Sequence, residues 1–382
     1  MVLLFFILIE YDFFIACYHF FVTWLLNSLY LAIYLPEWIF NKRINLMTST
    51  TTELSLDEIF NLAKAALINN SANEENADAV ATTVTNAERD GSVSHGLFRI
   101  PGYVKALKSN KVDGSAKPEI EEVTPTIFRC DAHNGFAPLA HKYGLEKLIQ
   151  AAHTFGIAGL AIQRCHHFAA LWPEVEAISD EGLVGLTSVS YTPAVAPSGG
   201  TTALYGTNPM AFSWPRPGKN PIVFDMATAS MAKGEIQIAA RDGHSVPLGT
   251  GLSPSGELTT DAAEIDKGVL LPFGGHKGSV IALMIELLSG PLVGETFSYE
   301  SKERDNGDGG PVQGGQFILA MSPKILSGKD TADQTENFLK KYNEIEGTRL
   351  PGERRHKNRQ DLGPRQVNSD LVKTISSLIN QN

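Results

Sequence analysis

The chain has 382 residues, of which 43% are hydrophobic, and a formal net charge of −10. This length and composition can bury a sizeable core in two or three domains, and the acidic balance argues against nucleic acid as a partner. Its three cysteines (Cys17, Cys130 and Cys165) have no metal-ligand spacing and cannot form an even disulfide framework, which indicates a reducing compartment and no metal site.

Residues 1–46 form a hydrophobic N-terminal extension that differs from the rest of the chain. From Phe13 to Leu35 no Asp, Glu, Lys or Arg occurs, and such a stretch is long enough to cross a bilayer as a helix. Two interpretations stay open. In the first, residues 13–35 are a membrane anchor, and the basic Lys42 and Arg43 after it place the catalytic part in the cytoplasm. In the second, the segment is an upstream extension that is never made, because Met47 resembles a natural start.

Helices dominate the chain after the extension. A capping box at Ser55–Glu58 predicts the start of one helix, and Ser71–Glu74 predicts a second box. The alanine-rich helix after this second box should run to about Ala87. Asp90-Gly91, three residues further on, is the signal that breaks the helix.

The segment from Ser94 to Tyr103 places a hydroxyl, an imidazole and a guanidinium close together. On one helical turn His95 and Arg99 stand four residues apart and share a face. Arginine can grip a carboxylate with two hydrogen bonds, and histidine exchanges protons near neutral pH. These residues therefore suit a small substrate that carries a carboxylate. A solvated helix N-terminus capped by Ser94 remains the alternative.

The remaining segments alternate between strand and helix patterns. We predict the following elements in chain order: strand Ile127–Asp131, helix Ala137–Phe155, strand Ile157–Ile162, helix Phe168–Glu181, strand Leu183–Val189, helix Gly278–Leu288, strand Gln316–Met321, helix Asp330–Tyr342, and a basic, frayed tail from Arg354.

Four further segments could contact the phosphate or ribose groups of a ligand. None of them is a dinucleotide fingerprint of the GxGxxG type. The glycine-rich loop before Ser279 leads into a helix, and His166-His167 lies where a strand leads into a helix. Asp225 ends an apolar run and could bind a ribose hydroxyl or cap the next turn. The arginines of Arg349–Arg355 could bind phosphate or form a solvated tail.

Six stretches, in family order between Leu54 and Arg355, resemble the malate/L-lactate dehydrogenase family of NAD(P)-dependent oxidoreductases, which lack the usual Rossmann fold. They are Arg89–Tyr103, Cys165–Pro173, Tyr205–Pro209, Val223–Thr228, Pro272–Gly278 and Thr348–Arg355. The stretches with Trp172 and with Arg349–Arg355 are most similar to those of the family's Δ1-piperideine-2-carboxylate/Δ1-pyrroline-2-carboxylate reductases.

The resemblance implies an α+β fold with two domains. A helical domain (residues 47–125 and 325–360) would carry the Ser94–Arg99 segment. A mixed, largely antiparallel sheet domain (residues 126–324) would bind the dinucleotide, and residues 361–382 would form a polar tail.

The resemblance also implies roles for individual residues. His95 would donate a proton in a relay with Ser94 and Glu235, and Arg99 and Thr207 would hold the substrate carboxylate. The family relay has an aspartate where this chain has Glu235, so its geometry differs by one methylene. The cofactor contacts would be His167, Phe168, Ala169, Ala170, Leu171, Asp225, Met226, Ala227, Gly275, His276, Arg349, Leu350, Pro351, Gly352, Glu353, Arg354 and Arg355.

We therefore expect a cytoplasmic, homodimeric reductase of cyclic imino acids that uses NADPH, because an arginine cluster suits a 2′-phosphate. A 2-oxo acid reductase of the malate, lactate or diketogulonate type is the first alternative, because the same His and Arg would serve a carbonyl. A membrane-tethered binding protein without activity is the second. Membrane contact is expected only if residues 13–35 are a real anchor.

Overall fold

A seven-stranded mixed sheet is the largest element of the protein. The structure, a computed structural model, describes residues 51–167 and 169–380. The strands in these ranges are β1 (Thr51–Leu54), β2 (Glu119–Thr124), β3 (Ile127–Asp131), β4 (Ile157–His166), β5 (Val184–Val189), β6 (Met210–Trp214), β7 (Ile222–Met226), β8 (Gly251–Leu252), β9 (Leu258–Thr259), β10 (Val269–Leu270), β11 (Gln313–Met321) and β12 (Arg365–Asn368).

Helices precede, follow and separate these strands. They are α1 (Leu56–Ile68), α2 (Glu74–Arg89), α3 (Ile100–Lys108), α4 (Ala137–Phe155), α5 (Trp172–Asp180), α6 (Lys233–Asp242), α7 (Ala262–Lys267), α8 (His276–Ser289), α9 (Ser298–Arg304), α10 (Pro323–Ser327), α11 (Ala332–Asn343), α12 (Glu353–Asn358) and α13 (Ser369–Ile379). Three short 3₁₀ helices cover Val93–His95, Leu97–Arg99 and Pro291–Val293.

The order of the large sheet brings several loops to one edge. The strand order is β2-β3-β4-β11-β5-β6-β7, in which β3 and β4 are parallel and the other neighbours antiparallel. It follows that β4, β5 and β7 point the same way, so their carboxyl ends share an edge with the start of β6. The residues at this edge are His167 after β4, Asp225 in β7 and Thr207 just before β6. The predicted α+β class with a mixed, largely antiparallel sheet is confirmed.

Both ends of the described chain contribute to one helical core. Strands β1 and β12 pair antiparallel, with Thr51 opposite Asn368. Val367 and Ile375 are buried together with residues of α1, α2 and α3. The expectation of a polar, frayed tail is therefore wrong, because apolar residues of α13 recur at helical spacing and bury a face. From Thr51 the chain forms one compact unit, and the domain boundaries at 125/126 and 324/325 stay predictions.

Local sequence signals set most helix and strand bounds. The capping box at Ser55 is present, and α4 and β3 have the predicted bounds. The box expected at Ser71 is wrong, because Asn73 caps α2 and accepts a hydrogen bond from Asn76 N at 2.9 Å. Strand β4 extends to His166, so helix α5 starts at Trp172 and not at residue 168.

Some predictions fall outside the described residues. These are the interpretations of residues 1–46, including the possible anchor at 13–35, and the cofactor contact of Phe168. Within the described residues, His276–Val293 is long and apolar enough to cross a membrane, but 44% of it is buried, as in a core helix of a soluble protein.

Candidate active site

Two 3₁₀ turns carry the Ser94–Arg99 segment. Gly96 separates Val93–His95 from Leu97–Arg99, and the buried Glu88 carboxylate accepts a hydrogen bond from Leu97 N at 2.8 Å. A Cβ atom on Gly96 would overlap Glu88 Oε1, so glycine is required at this close approach. The expectation of one continuous helical turn from His95 to Arg99 is wrong, because Glu88 holds the chain in a break at Gly96.

Ser94 and His95 form a hydrogen-bonded pair. Ser94 Oγ lies 3.1 Å from His95 Nδ1, and Ser94 is buried. Burial, followed by the charges of Arg99 and His167, lowers the pKa of His95 to about 3. His95 is therefore neutral at physiological pH in the ligand-free protein, and its Nδ1 is oriented by Ser94.

Arg99 lies beside this pair and packs against the start of helix α6. A Cβ atom on Gly234 would lie 2.7 Å from Arg99 Nη2 and 3.3 Å from Ser94 Cβ. Burial lowers the pKa of Arg99, against the opposing effects of Tyr191 and Tyr103. The absence of a side chain at Gly234 thus allows α6 to approach the catalytic segment.

Glu235 follows Gly234 and lines the same cavity. Its side chain is exposed, and it makes no hydrogen bond to any residue in the ranges 51–167 and 169–380. The relay with Ser94 and His95 stays a prediction, because its carboxylate is present at the cavity without a bond to either.

Thr207 offers an uncommitted hydroxyl to this cavity. Its carbonyl oxygen accepts hydrogen bonds from Thr228 N at 2.9 Å and Thr228 Oγ1 at 3.0 Å. Its own hydroxyl bonds to none of the residues that the structure describes. A carboxylate in the cavity could therefore be bound by the Thr207 hydroxyl and the Arg99 guanidinium.

A cavity of 1140 Å³ brings most of the predicted site residues together. The predicted residues that line it are Ser94, His95, Arg99, His167, Ala169, Ala170, Thr207, Asp225, Met226, Ala227, Glu235, Arg354 and Arg355. Sequence reasoning missed other lining residues, among them Tyr191, His244 and Phe273. All three come from separate loops. Tyr191 and His244 carry no motif of their own, so only the fold reveals them, whereas Phe273 lies in the Pro272–Gly278 stretch but was given no role.

Asp225 has a structural role. Its Oδ2 accepts hydrogen bonds from Leu171 N at 2.7 Å and Trp172 N at 3.1 Å, so it caps the start of α5. Burial raises the pKa of Asp225 to about 6, although the Leu171 hydrogen bond and Arg355 oppose this. Leu171 is buried and does not line the cavity. This cap on α5 differs from the cap on the following turn that the sequence suggested, and the contact with a ribose stays a prediction.

The other predicted cofactor residues lie outside this cavity. Gly275 and His276 are exposed at the start of α8. Leu350, Pro351 and Glu353 line a separate hollow of 420 Å³.

Arg349 and Gly352 also lie outside the large cavity. Gly352 has a φ of +95°, and a Cβ atom there would lie 3.2 Å from Val223 O. The turn at Gly352 therefore packs on β7 and directs the two following arginines to the cavity. Cofactor contacts for these residues stay predictions.

Arg354 and Arg355, which both line the cavity, have different environments. Arg355 donates from Nη2 to Val223 O at 3.0 Å, and its guanidinium lies over the Trp172 ring at 4.9 Å. Arg354 is exposed and has no hydrogen bond or ion pair with any described residue. The free guanidinium at this cavity is therefore that of Arg354.

Comparisons with known proteins identify the family of this chain. The sequence pattern of the malate/L-lactate dehydrogenase family matches residues 54–373. The Δ1-pyrroline-2-carboxylate reductase of Ancylobacter novellus is 44% identical over 311 residues, which cover 80% of this chain and 91% of that protein. The Δ1-pyrroline-2-carboxylate/Δ1-piperideine-2-carboxylate reductase of Pseudomonas aeruginosa is 42% identical over 309 residues, 80% of this chain and 92% of the relative.

Solved structures of related proteins have the same fold. The Δ1-piperideine-2-carboxylate reductase of Pseudomonas syringae pv. tomato superposes with a TM-score of 0.81 at 39% identity, covering 86% of this chain and all of that one. The sulfolactate dehydrogenase of Methanocaldococcus jannaschii has a TM-score of 0.76 at 28% identity, over 87% and 98% of the two chains.

The protein belongs to the malate/L-lactate dehydrogenase family of oxidoreductases. Membership implies a nicotinamide cofactor and a small carboxylate-bearing substrate. Both expectations from the sequence are confirmed at this level.

Proposed function

We propose that this protein is an NADPH-dependent reductase of cyclic imino acids. It would convert Δ1-piperideine-2-carboxylate to L-pipecolate and Δ1-pyrroline-2-carboxylate to L-proline. The observation that carries the proposal is the buried Arg99 beside the Ser94–His95 pair, in one cavity with the unbonded Thr207 hydroxyl. The curated relatives named for these two substrates are 41–44% identical over most of their length.

The residues at the cavity fit a nicotinamide dinucleotide. The volume of the cavity accommodates a large ligand, and the small side chains of Ala169 and Ala170 leave room at its wall. Arg354 supplies a free guanidinium, which suits the 2′-phosphate that distinguishes NADPH from NADH. When bound, the cofactor supplies the hydride.

The chain supplies orientation and the proton. Arg99 and Thr207 hold the carboxylate and so fix which face of the C=N bond meets the hydride. His95 gives a proton to the imine nitrogen as the C=N electron pair moves onto that nitrogen. Ser94 orients the imidazole through Nδ1, which leaves Nε2 for the substrate. Glu235 is proposed to complete this relay from the first turn of α6.

The test is reduction by the purified full chain, followed by loss of NADPH absorbance. Piperideine-2-carboxylate and pyrroline-2-carboxylate should be turned over with a higher kcat/KM than pyruvate or oxaloacetate, by at least about tenfold. Such a ratio corresponds to about 1.4 kcal/mol of transition-state discrimination. Turnover of the 2-oxo acids without the imino acids would instead support the malate- or lactate-type alternative. Sedimentation of the same sample tests the proposed homodimer, and the cytoplasmic location stays a prediction.

A further inference from the structure

A buried hydrogen-bond network lies beneath the wall of the cavity, centred on Glu174. Glu174 is in the first turn of α5 and is 2% exposed. Its Oε1 lies 3.4 Å from Nε2 of His167, 3.4 Å from Nε2 of His141 and 3.0 Å from Nε2 of Gln316. Sequence reasoning missed this network, because its members come from three separate elements and a loop.

The hydrogen atoms in this network can be assigned from the donors and acceptors. Gln316 Oε1 can only accept, so His141 Nε2, 2.6 Å away, carries a hydrogen. Gln316 Nε2 donates to Glu174 and, at 3.0 Å, to Thr187 Oγ1. His167 Nε2 then donates to Glu174 Oε1. This leaves His167 Nδ1 without a hydrogen-bond partner among the described residues.

Among the described residues, no lysine or arginine forms an ion pair with Glu174 to balance the charge of the network. In the part of the chain that the structure describes, Glu174 forms ion pairs with His141 and His167 alone. Burial raises the pKa of Glu174, but His141, His167 and Gln316 outweigh it, and the pKa ends below its usual value. Burial lowers the pKa of His141. An ionised Glu174 with two neutral imidazoles would be a buried, unpaired charge, which is costly.

The position of His167 suggests what balances the charge. His167 lines the cavity, and its charge is one of the causes that keep His95 neutral. Each turnover consumes one proton, and a neutral His95 must first receive the proton that it gives. His167 lines the same cavity and can supply it.

We propose that Glu174 is a positioning residue that keeps His167 protonated at the cavity wall, and that this proton reaches the substrate through His95. The inference rests on the proposed reduction of an imine. When the substrate binds, His167 gives the proton on Nδ1 to His95, His95 gives it to the imine nitrogen as the C=N electron pair moves onto that nitrogen, and solvent then restores the proton of His167.

Among the described residues, three titratable groups face His167, and each comes from a different part of the fold. They are Glu174 from α5, His141 from α4 and His95 from the catalytic segment. Burial, and to a smaller extent the charge of Glu174, raises the pKa of Tyr103 and of Asp225. Within the described ranges Glu174 is thus the anion that forms an ion pair with His167, and its charge is what the test removes.

The first test is an NMR titration of the full chain labelled with ¹³C at its histidine rings, without substrate. His167 is assigned by the loss of its signal in His167→Asn. In Glu174→Gln, which keeps the shape and loses the charge, the midpoint of the His167 titration should fall by about one pH unit or more. Glu181→Gln, an exposed change just after the same helix, should leave the midpoint in place.

A wild-type midpoint below about pH 5, or one that Glu174→Gln does not move, would overturn the proposal. So would a stoichiometric metal ion in the purified chain, because a metal ion held by His141, His167 and Glu174 would keep the His167 ring from becoming a cation. The wild-type result decides even if the variant fails to fold. Because no substrate is present, the titration is independent of whether the protein reduces imino acids.

The second test is the pH dependence of kcat. In Glu174→Gln the fall of kcat at alkaline pH should begin at lower pH, by the same amount as the His167 midpoint moves. KM for NADPH should stay within about threefold. A merely structural role would instead lower kcat by the same factor at every pH, and that outcome would contradict the proposal.

Discussion

Glu88→Gln should make the protein more stable at alkaline pH without removing the support for the catalytic segment. Glu88 is 4% exposed and accepts the Leu97 N–H at 2.8 Å. Burial raises its pKa from 4.5 to about 7, although the Leu97 hydrogen bond and the charge of Arg365 oppose the shift. A glutamine oxygen can accept the same hydrogen bond but cannot ionise.

The magnitude follows from the two pKa values of Glu88. Between pH 4.5 and about 7 the folded state keeps a proton that the unfolded state has lost, so the free energy of unfolding falls as pH rises. At 1.36 kcal/mol per pKa unit, the loss is about 3 kcal/mol. Glu88→Gln lacks this loss. It should match the wild type near pH 4.5 and exceed its stability by up to about 3 kcal/mol near pH 8.

Urea unfolding of both proteins at about pH 5 and about pH 8 measures the difference. Glu88→Ala, which also loses the acceptor for Leu97 N, should be less stable than Glu88→Gln at both pH values. Glu257→Gln, an exposed change, should alter neither. If the gap between wild type and Glu88→Gln is the same at both pH values, Glu88 does not titrate beneath Gly96 and the reasoning fails.

Four further predictions concern the cavity. His95→Ala should lower kcat by about 10²–10⁴-fold while the Kd of NADPH changes little, and wild-type turnover would remove His95 from the mechanism. Arg99→Lys should raise KM for the imino acid by about 5- to 150-fold, because it loses the two-pronged grip, and an unchanged KM would place the carboxylate elsewhere. Arg354→Ala should weaken NADPH binding more than NADH binding, whereas Arg355→Ala should lower Tm and weaken the binding of both cofactors alike. If the ratio of the two Kd values is the same in both variants, the two arginines do not have these different roles. Glu235→Gln should lower kcat and shift the pH–rate profile while Glu235→Asp retains activity, and a Gln profile identical to that of the wild type would exclude the relay.

Short-range patterns predicted the five longest of the described helices and suggested the chemistry of the catalytic segment. The capping box at Ser55 and the apolar periodicity of α4 are local signals, and the structure confirms both. The proximity of His95 and Arg99 was also predictable, because they are four residues apart. The backbone conformation that brings them together was not predictable, because the turn at Gly96 depends on the carboxylate of Glu88 from helix α2.

Long-range pairing accounts for what the sequence did not predict. Residues 365–368 form a strand because Thr51–Leu54 pairs with them, and no local pattern shows that partner. The arginines of residues 349–355 formed one cluster in the sequence, but packing against Trp172 and Val223 separates Arg355 from Arg354. The sequence analysis gave no role to Glu174, and only its burial beside two histidines indicates one.

Charge couples substrate binding to proton transfer in this cavity. After burial, the charge of Arg99 is the next cause that lowers the pKa of His95. A substrate carboxylate bound to Arg99 would neutralise that charge, so it would favour the protonated form of His95. Linkage requires the reverse as well, and protonated His95 would strengthen carboxylate binding. A ligand without a carboxylate would not provide this effect. Among ligands that carry one, an imine nitrogen is more basic than a carbonyl oxygen and takes a proton more readily, which supports the proposal that cyclic imino acids are preferred over 2-oxo acids.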